Sequence, residues 1–237
     1  MHGPNDTTDI PLGVSLDQGP PKLTPEQLRA AQEETLRSPR RRYGLPARVL
    51  FSTFDLLYGK KRTLSKFKVL ELVARVPYQA WEQVAYIAIT HVYDRTGLAR
   101  RIVDRVRESR EQQDNEQWHL LLLEELIARS GKKENKLYYF WVPQGIALVY
   151  YQVSWLLFVL KPEESYKLNA DFEDHAEHEY MSYVAENPEL ESTPHESVLG
   201  QDYGTYESLA DLFRQIGHDE RVHKIDSIER SLEARFR

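Results

Sequence analysis

Two short stretches constrain this chain more than any others: Glu116-Gln117-Trp118-His119 and Glu220-Arg221-Val222-His223. On a helix, a carboxylate and an imidazole three residues apart project from one face into the same space. About one such pair is expected by accident from 24 glutamates and 8 histidines in 237 residues, so a single copy would carry little weight. Here there are two, and each follows a glutamate in a long apolar-periodic segment. Glu71 lies 45 residues before Glu116, and Glu173 lies 47 before Glu220. Near-equal spacing in the two halves fits two helical hairpins facing each other across a pseudo-twofold axis. One glutamate from each of two helices, with a Glu-x-x-His from each of the other two, is the ligand pattern of di-metal carboxylate bundles. The candidate ligands are therefore Glu71, Glu116, His119, Glu173, Glu220 and His223.

Composition bears on which metal such a site would take. The chain has no cysteine, so any metal must be held by Glu, Asp and His, harder ligands that suit iron or manganese better than structural zinc. Four carboxylates neutralise two ferrous ions and can bridge them, which makes two iron ions the expected cofactor. Glu71 supports this: flanked by Val69, Leu70, Leu72 and Val73, it would be costly to bury as an unpaired anion. The bland alternative is that Glu116 and Glu220 are solvated helix-face charges and the histidines satisfied core residues. A net charge of -6 argues against a nucleic-acid partner, which calls for a broadly basic face.

Along the chain the pattern is helical throughout. Residues 1 to about 22, rich in Gly and Pro, read as a flexible tail, and Thr24-Pro25-Glu26-Gln27 opens a short polar helix to about Leu36. Between Arg37 and Lys68 ten cations face the single acid Asp55, and they flank the apolar stretch Val49–Tyr58, as in an amphipathic helix lying on an anionic membrane. A core helix with solvated ends is the equal alternative there. Leu64 to Tyr93 reads as one helix kinked at Pro77 and ended by Thr96-Gly97, and Leu98 to Arg129 as the next. Leu137 to Leu160 is 24 residues without a charge, long enough to span a bilayer. Internal Pro143, Gly145, Gln144 and Gln152, with aromatics scattered through the run, favour a helix in one leaflet ahead of a buried bundle helix or a span. Helices from Pro162 to about Asn187 and from about Tyr206 to Arg230 complete the chain. The expected class is all-α: a ferritin-like four-helix bundle with a di-iron site and two extra membrane-contacting helices. Residues 1–45 form a tail with one helix, and 46–237 the bundle domain.

Tyr180 lies seven residues after Glu173, two turns along the same face, within reach of the metals; a lone tyrosine there is otherwise core. His175 and His178 read as decoys or as neighbours of the ligands.

Taken together, Leu70-Glu71 with Ala74-Arg75-Val76-Pro77-Tyr78, Asn115-Glu116 with His119, Glu173 with His175-Ala176 and Tyr180, and Asp219-Glu220 with His223 resemble the alternative oxidases. The plastid terminal oxidase branch is the nearer one. The similarity covers about residues 46 to 232. It implies a membrane-bound di-iron quinol oxidase in which the four glutamates bind iron, His119 and His223 stand close to it, and Tyr180 takes part in oxygen reduction. It implies Asn115 and Asp219 as supports beside the ligands, and a quinol pocket at Lys66, Leu70, Phe172, His175, Ala176 and Glu179, with Asp55 added if one residue is inserted between it and Glu71. Lys66 stands where the family has arginine, a point charge in place of a planar fork, and Glu179 where it has threonine. The family expectation is also a homodimer that uses quinol, O2 and membrane lipid.

The expected function is thus a quinol:oxygen oxidoreductase seated in one leaflet, using plastoquinol, reducing O2 to water and pumping no protons. Two alternatives stand beside it: a soluble ferritin-like ferroxidase or oxygenase with the same ligands, and a metal-free membrane-surface helical protein. The N-terminus shows neither a secretory nor a transit-peptide pattern and reads as mature or bacterial in type. The expected location is the membrane interface of a bacterial, cyanobacterial or plastid membrane.

Overall fold

A computed structural model describes residues 20–236, so most of the expected flexible tail lies outside the described residues. Eight α-helices in chain order make up the described chain: α1 Pro25–Arg37, α2 Leu45–Tyr58, α3 Leu64–Ala74, α4 Val76–Val92, α5 Thr96–Arg129, α6 Val142–Leu160, α7 Pro162–Glu186 and α8 Leu209–Leu232. A single π-helical turn, Leu137–Trp141, leads into α6, and a 3-10 turn, Pro188–Ser192, follows α7. The all-α class holds.

Local chemistry explains the boundaries. Thr24 and Gln27 form the capping box of α1, with Pro25 at the first turn. Thr63 caps α3 and Ser208 caps α8 through their hydroxyls. Gly59 ends α2 with φ 79°, a conformation in which a Cβ would be strained.

Two expected boundaries move. The single helix from Leu64 to Tyr93 is instead two, broken at Arg75, one turn after Glu71. Pro77 cannot donate to a carbonyl one turn back, so the chain restarts with Val76 and Pro77 in a new first turn, where donors are not needed. The hydrogen bonds spanning the break stretch to 3.4 Å. Thr96 and Gly97 open α5 instead of closing α4, which stops at Val92.

The centre of the molecule is bounded by α3, α5, α7 and α8, with α4 continuing along α5. α7 is buried on nearly every side, yet carries Asp171, Glu173, Asp174, Glu177, His178 and Glu179 in its buried set. Burial of so much charge is tolerable only with partners, and α1 supplies several. Thr35 donates to Glu177 at 2.5 Å, Gln32 donates to the Met181 carbonyl at 2.9 Å, and Arg221 of α8 joins Glu177 to the Ala31 carbonyl and Glu34 of α1.

α6 packs against α4, α7 and α3 through one stripe only: Pro143, Tyr150, Ser154 and Phe158 are buried, while Leu148 is 67 % and Val149 64 % exposed. The π-helical turn before it adjoins α2, whose Tyr58 donates to the Tyr138 carbonyl, and α2 exposes Leu45, Val49 and Leu56.

Candidate metal centre

The six residues singled out by spacing converge. Glu71 comes from α3, Glu116 and His119 from α5, Glu173 from α7, and Glu220 and His223 from α8; all six are fully buried. Their donor atoms fall into two groups of four that could each hold a metal ion: Glu71, Glu116, His119 and Glu220, and Glu116, Glu173, Glu220 and His223. Glu116 and Glu220 belong to both. This is the arrangement expected of carboxylates bridging two ions.

The protein alone does not satisfy these groups. Glu71 Oε2, Glu116 Oε2, Glu173 Oε2, both Glu220 oxygens and His119 Nδ1 are buried without a hydrogen bond. His119 Nδ1 lies 3.1 Å from Glu220 Oε1 and 3.3 Å from Glu71 Oε2, close enough for an ion pair but not aligned as a hydrogen bond. Orphaned acceptors at this density are expensive in an apolar interior, and divalent cations are what they fit.

Protonation reports the same crowding. Burial pushes Glu71 up to about 8, with the neighbouring Glu116 charge adding to it, and pushes Glu173 up to about 7. Burial and repulsion from Glu116, Glu71 and Glu173 drive Glu220 well above the carboxylate range. Burial also opposes ionisation of Glu116, but the neighbouring His119 and the hydrogen bond from His223 outweigh it and hold that carboxyl low. Burial works against both imidazolium forms, yet the surrounding acids raise His119 and His223 above their ordinary value. Four acids and two imidazoles thus share protons that metal ions would displace.

Behind His119 stands a polar network. Its Nε2 lies 3.3 Å from Asp219 Oδ2, which also accepts from Tyr203 at 2.7 Å and from Asn115 Nδ2 at 3.1 Å. Gln215 Nε2 donates to Asp219 Oδ1 at 2.7 Å and to the Pro21 carbonyl, and Lys22 rests 3.6 Å over the Tyr203 ring. Asn115 and Asp219 were expected beside the ligands; Tyr203, Gln215 and Lys22 were not. Two phenols also reach the glutamates. Tyr180 donates to Glu71 Oε1, and Tyr78, absent from the sequence candidates, donates to Glu173 Oε1 at 2.6 Å. The signal for Tyr78 was readable: it follows Glu71 by seven residues, as Tyr180 follows Glu173.

A third acidic cluster, Asp174, Glu177 and His178, is already paired. Asp174 accepts from Arg41 N–H, Tyr43 and Lys224, and Glu177 from Thr35, Arg221 and Lys224. His178 faces the Asp174 carbonyl at 2.7 Å, away from the metal groups.

The expected quinol-pocket residues also assemble, between α2, α3 and α7. Leu70, Phe172 and Ala176 share one apolar cluster with Phe51 and Phe54. Lys66 donates to Asp55 at 2.6 Å and to the Gly59 carbonyl at 2.8 Å. His175 stacks on Phe51 with ring centroids 4.0 Å apart, and its Nδ1 meets Arg40 at 3.1 Å. Glu179 is held by Arg40 at 2.7 Å and Arg62 at 3.0 Å. Arginine only donates, so Nδ1 of His175 is the acceptor and Nε2 carries the ring proton. Burial lowers His175 to about 4, keeping it neutral. Arg40 and Arg62 were not foreseen, because nothing local in a basic stretch separates a half-buried, paired arginine from a solvated one.

A helical bundle enclosing four carboxylates and two histidines in two overlapping sets of four defines a di-metal carboxylate protein. The family model for alternative oxidase matches residues 46–229, and the chain belongs to the alternative oxidase family. Among curated proteins it is similar to ubiquinol oxidase 4, chloroplastic/chromoplastic, of Arabidopsis thaliana, with 32 % identity over 150 residues. That match covers 63 % of this chain and 39 % of the relative, so the chain spans well under half of the relative's length in common.

Proposed function

We propose that this chain is a membrane-surface quinol:oxygen oxidoreductase. The observation that carries the reading is the pair of four-residue groups sharing Glu116 and Glu220, buried and unsatisfied by the protein. Glu71, Glu116, His119, Glu173, Glu220 and His223 would hold two iron ions, which supply the capacity to pass electrons from quinol to oxygen. Two quinols and one O2 give two quinones and two waters, with four electrons and four protons transferred.

The chain's own groups serve the remaining needs. Phe51, Phe54, Leu70, Phe172 and Ala176 offer an apolar bed for a quinone ring. The Nε2–H of His175 can donate to a ring oxygen, while Glu179 and the Lys66–Asp55 pair supply charge at its edge. Tyr180 stands where a phenolic proton can be given toward Glu71. The exposed apolar side of α6, beside exposed Leu45, Val49 and Leu56 of α2, supports seating in one leaflet; a soluble ferroxidase has no use for it. Of the described helical segments, only Leu137–Leu160 is long and apolar enough to cross a bilayer. We take the protein as not pumping protons, with residues 46–237 as the oxidase domain and a homodimer as the working unit.

The donor is proposed to be plastoquinol, following the resemblance to the plastid branch, and the relative's name carries ubiquinol. Oxygen uptake by iron-loaded protein is therefore measured with both quinols side by side. The expected result is uptake with a preference for plastoquinol and none in Glu220→Ala. No uptake with either quinol, or full activity in Glu220→Ala, overturns the reading.

A further inference from the structure

The two halves of the centre are matched in a way that extends beyond the six ligands. Tyr180, seven residues after Glu173 on α7, donates its phenol proton across the centre to Glu71 Oε1 on α3. Tyr78, seven residues after Glu71 on α4, donates in the opposite direction to Glu173 Oε1 on α7, at 2.6 Å. In each case Oε1 takes the phenol, and Oε2 is left buried without a hydrogen bond. Glu71 belongs to one metal group and Glu173 to the other.

Both rings are fixed. Tyr180 is stacked on Phe67 with centroids 4.4 Å apart; Tyr78 is wedged edge-on against Trp81 at 5.2 Å and against His223 at 5.7 Å. Asn169 Nδ2 reaches the Tyr78 oxygen at 2.8 Å and Glu173 Oε1 at 2.9 Å, tying phenol and carboxylate together. A buried tyrosine always needs a partner for its hydroxyl, and a carbonyl or a water serves that need as well. Donation to one oxygen of a metal-group carboxylate does more: it decides which oxygen remains for the ion and stops the carboxyl from rotating.

We propose that Tyr78 is the positioning residue of the second metal group, fixing Glu173 as Tyr180 fixes Glu71, so that each ion has its own tyrosine. The inference rests on the two-metal part of the proposed function, and not on the identity of the reductant.

Affinity for ferrous iron, read anaerobically by competition with a chelator, tests it without any turnover. Groups that orient metal ligands cost roughly 10- to 100-fold in metal affinity when removed. Tyr78→Phe is therefore expected to bind one iron as the wild type does and the other at least ~10-fold more weakly. A double-mutant cycle identifies which one: the Tyr78→Phe loss disappears in a Glu173→Ala background and persists in full in Glu71→Ala, with Tyr180→Phe showing the mirror pattern. Circular dichroism of the metal-free variants checks the fold; if Tyr78→Phe does not fold, Tyr78→Met is carried through the same cycle. Two irons bound by Tyr78→Phe with wild-type affinity, or a loss that persists beside Glu173→Ala, overturns the inference alone. Less than one iron in the wild type overturns it together with the proposed function, whereas two irons without quinol oxidation leave the tyrosine assignment standing.

Discussion

Glu116 and Glu220 differ from the other two glutamates in belonging to both metal groups, and this sets a ranking among variants. Glu220→Ala removes a ligand from both sets and is expected to leave less than one iron per chain. Glu71→Ala touches one set and is expected to leave about one; metal analysis after anaerobic reconstitution measures both. The same residues give the metal-free protein an unusual pH response. Glu71 and Glu173 titrate near 8 and 7 in the folded state, above the ordinary glutamate value of 4.5, and His119 and His223 are raised as well. A group with a raised folded pKa favours folding below its unfolded pKa, and that advantage is lost as pH rises through the folded value. Metal-free protein is therefore expected to melt several degrees lower at pH 8.5 than at pH 6.5, and bound iron to flatten the slope, as read by thermal unfolding with and without chelator. The ligands were legible because helical spacing is a local property. Gln215, four residues before Asp219 on the same helix, was open to the same reading; Tyr203 and Lys22 were not, since Lys22 meets Asp219 across nearly the whole chain and no spacing rule joins them.

Among the elements, helix positions followed from caps, prolines and apolar runs, while the partners of polar helices did not. α1 shows this. Its capping box was plain in Thr24 and Gln27, but its docking on α7 and α8 depends on Arg221 and Thr35 meeting a buried Glu177, and a polar helix by itself predicts only solvent. Arg221→Ala removes hydrogen bonds to Glu177, Thr35, Glu34 and the Ala31 carbonyl. Lys224 still faces Glu177, so the expected cost is about 1.5–3 kcal/mol. At this chain length that lowers the melting temperature by roughly 3–12 °C in a calorimetric scan, with iron stoichiometry unchanged. The break at Arg75 was largely legible: Pro77 announced a kink one to two turns past Glu71, and what it did not announce is that the segment divides there into two helices.

For the molecule as a whole, the apolar run of α6 admitted a buried helix, a surface helix or a span, and composition could not choose. Packing removes the buried helix, because only Pro143, Tyr150, Ser154 and Phe158 are buried, and the proposed function takes the surface helix over the span. The outward side chains are then the membrane contact to test. Leu148→Glu with Leu156→Glu removes about 1.5 kcal/mol or more of apolar transfer at each site, a combined weakening of ~100-fold in vesicle flotation, with the iron centre intact.

Seated in one leaflet as proposed, a helix held to the bundle by one stripe would also fix the dimension in which the substrate is found. The apolar bed around Phe51, Phe54 and Phe172 adjoins that helix through Tyr139, Ile146 and Tyr150, so a lipid-soluble reductant need never enter bulk water. Turnover should then follow the mole fraction of quinol within the bilayer. At constant total quinol, adding inert lipid to the vesicles is expected to slow oxygen uptake in proportion, whereas diluting the vesicles with buffer leaves the rate per bound enzyme unchanged.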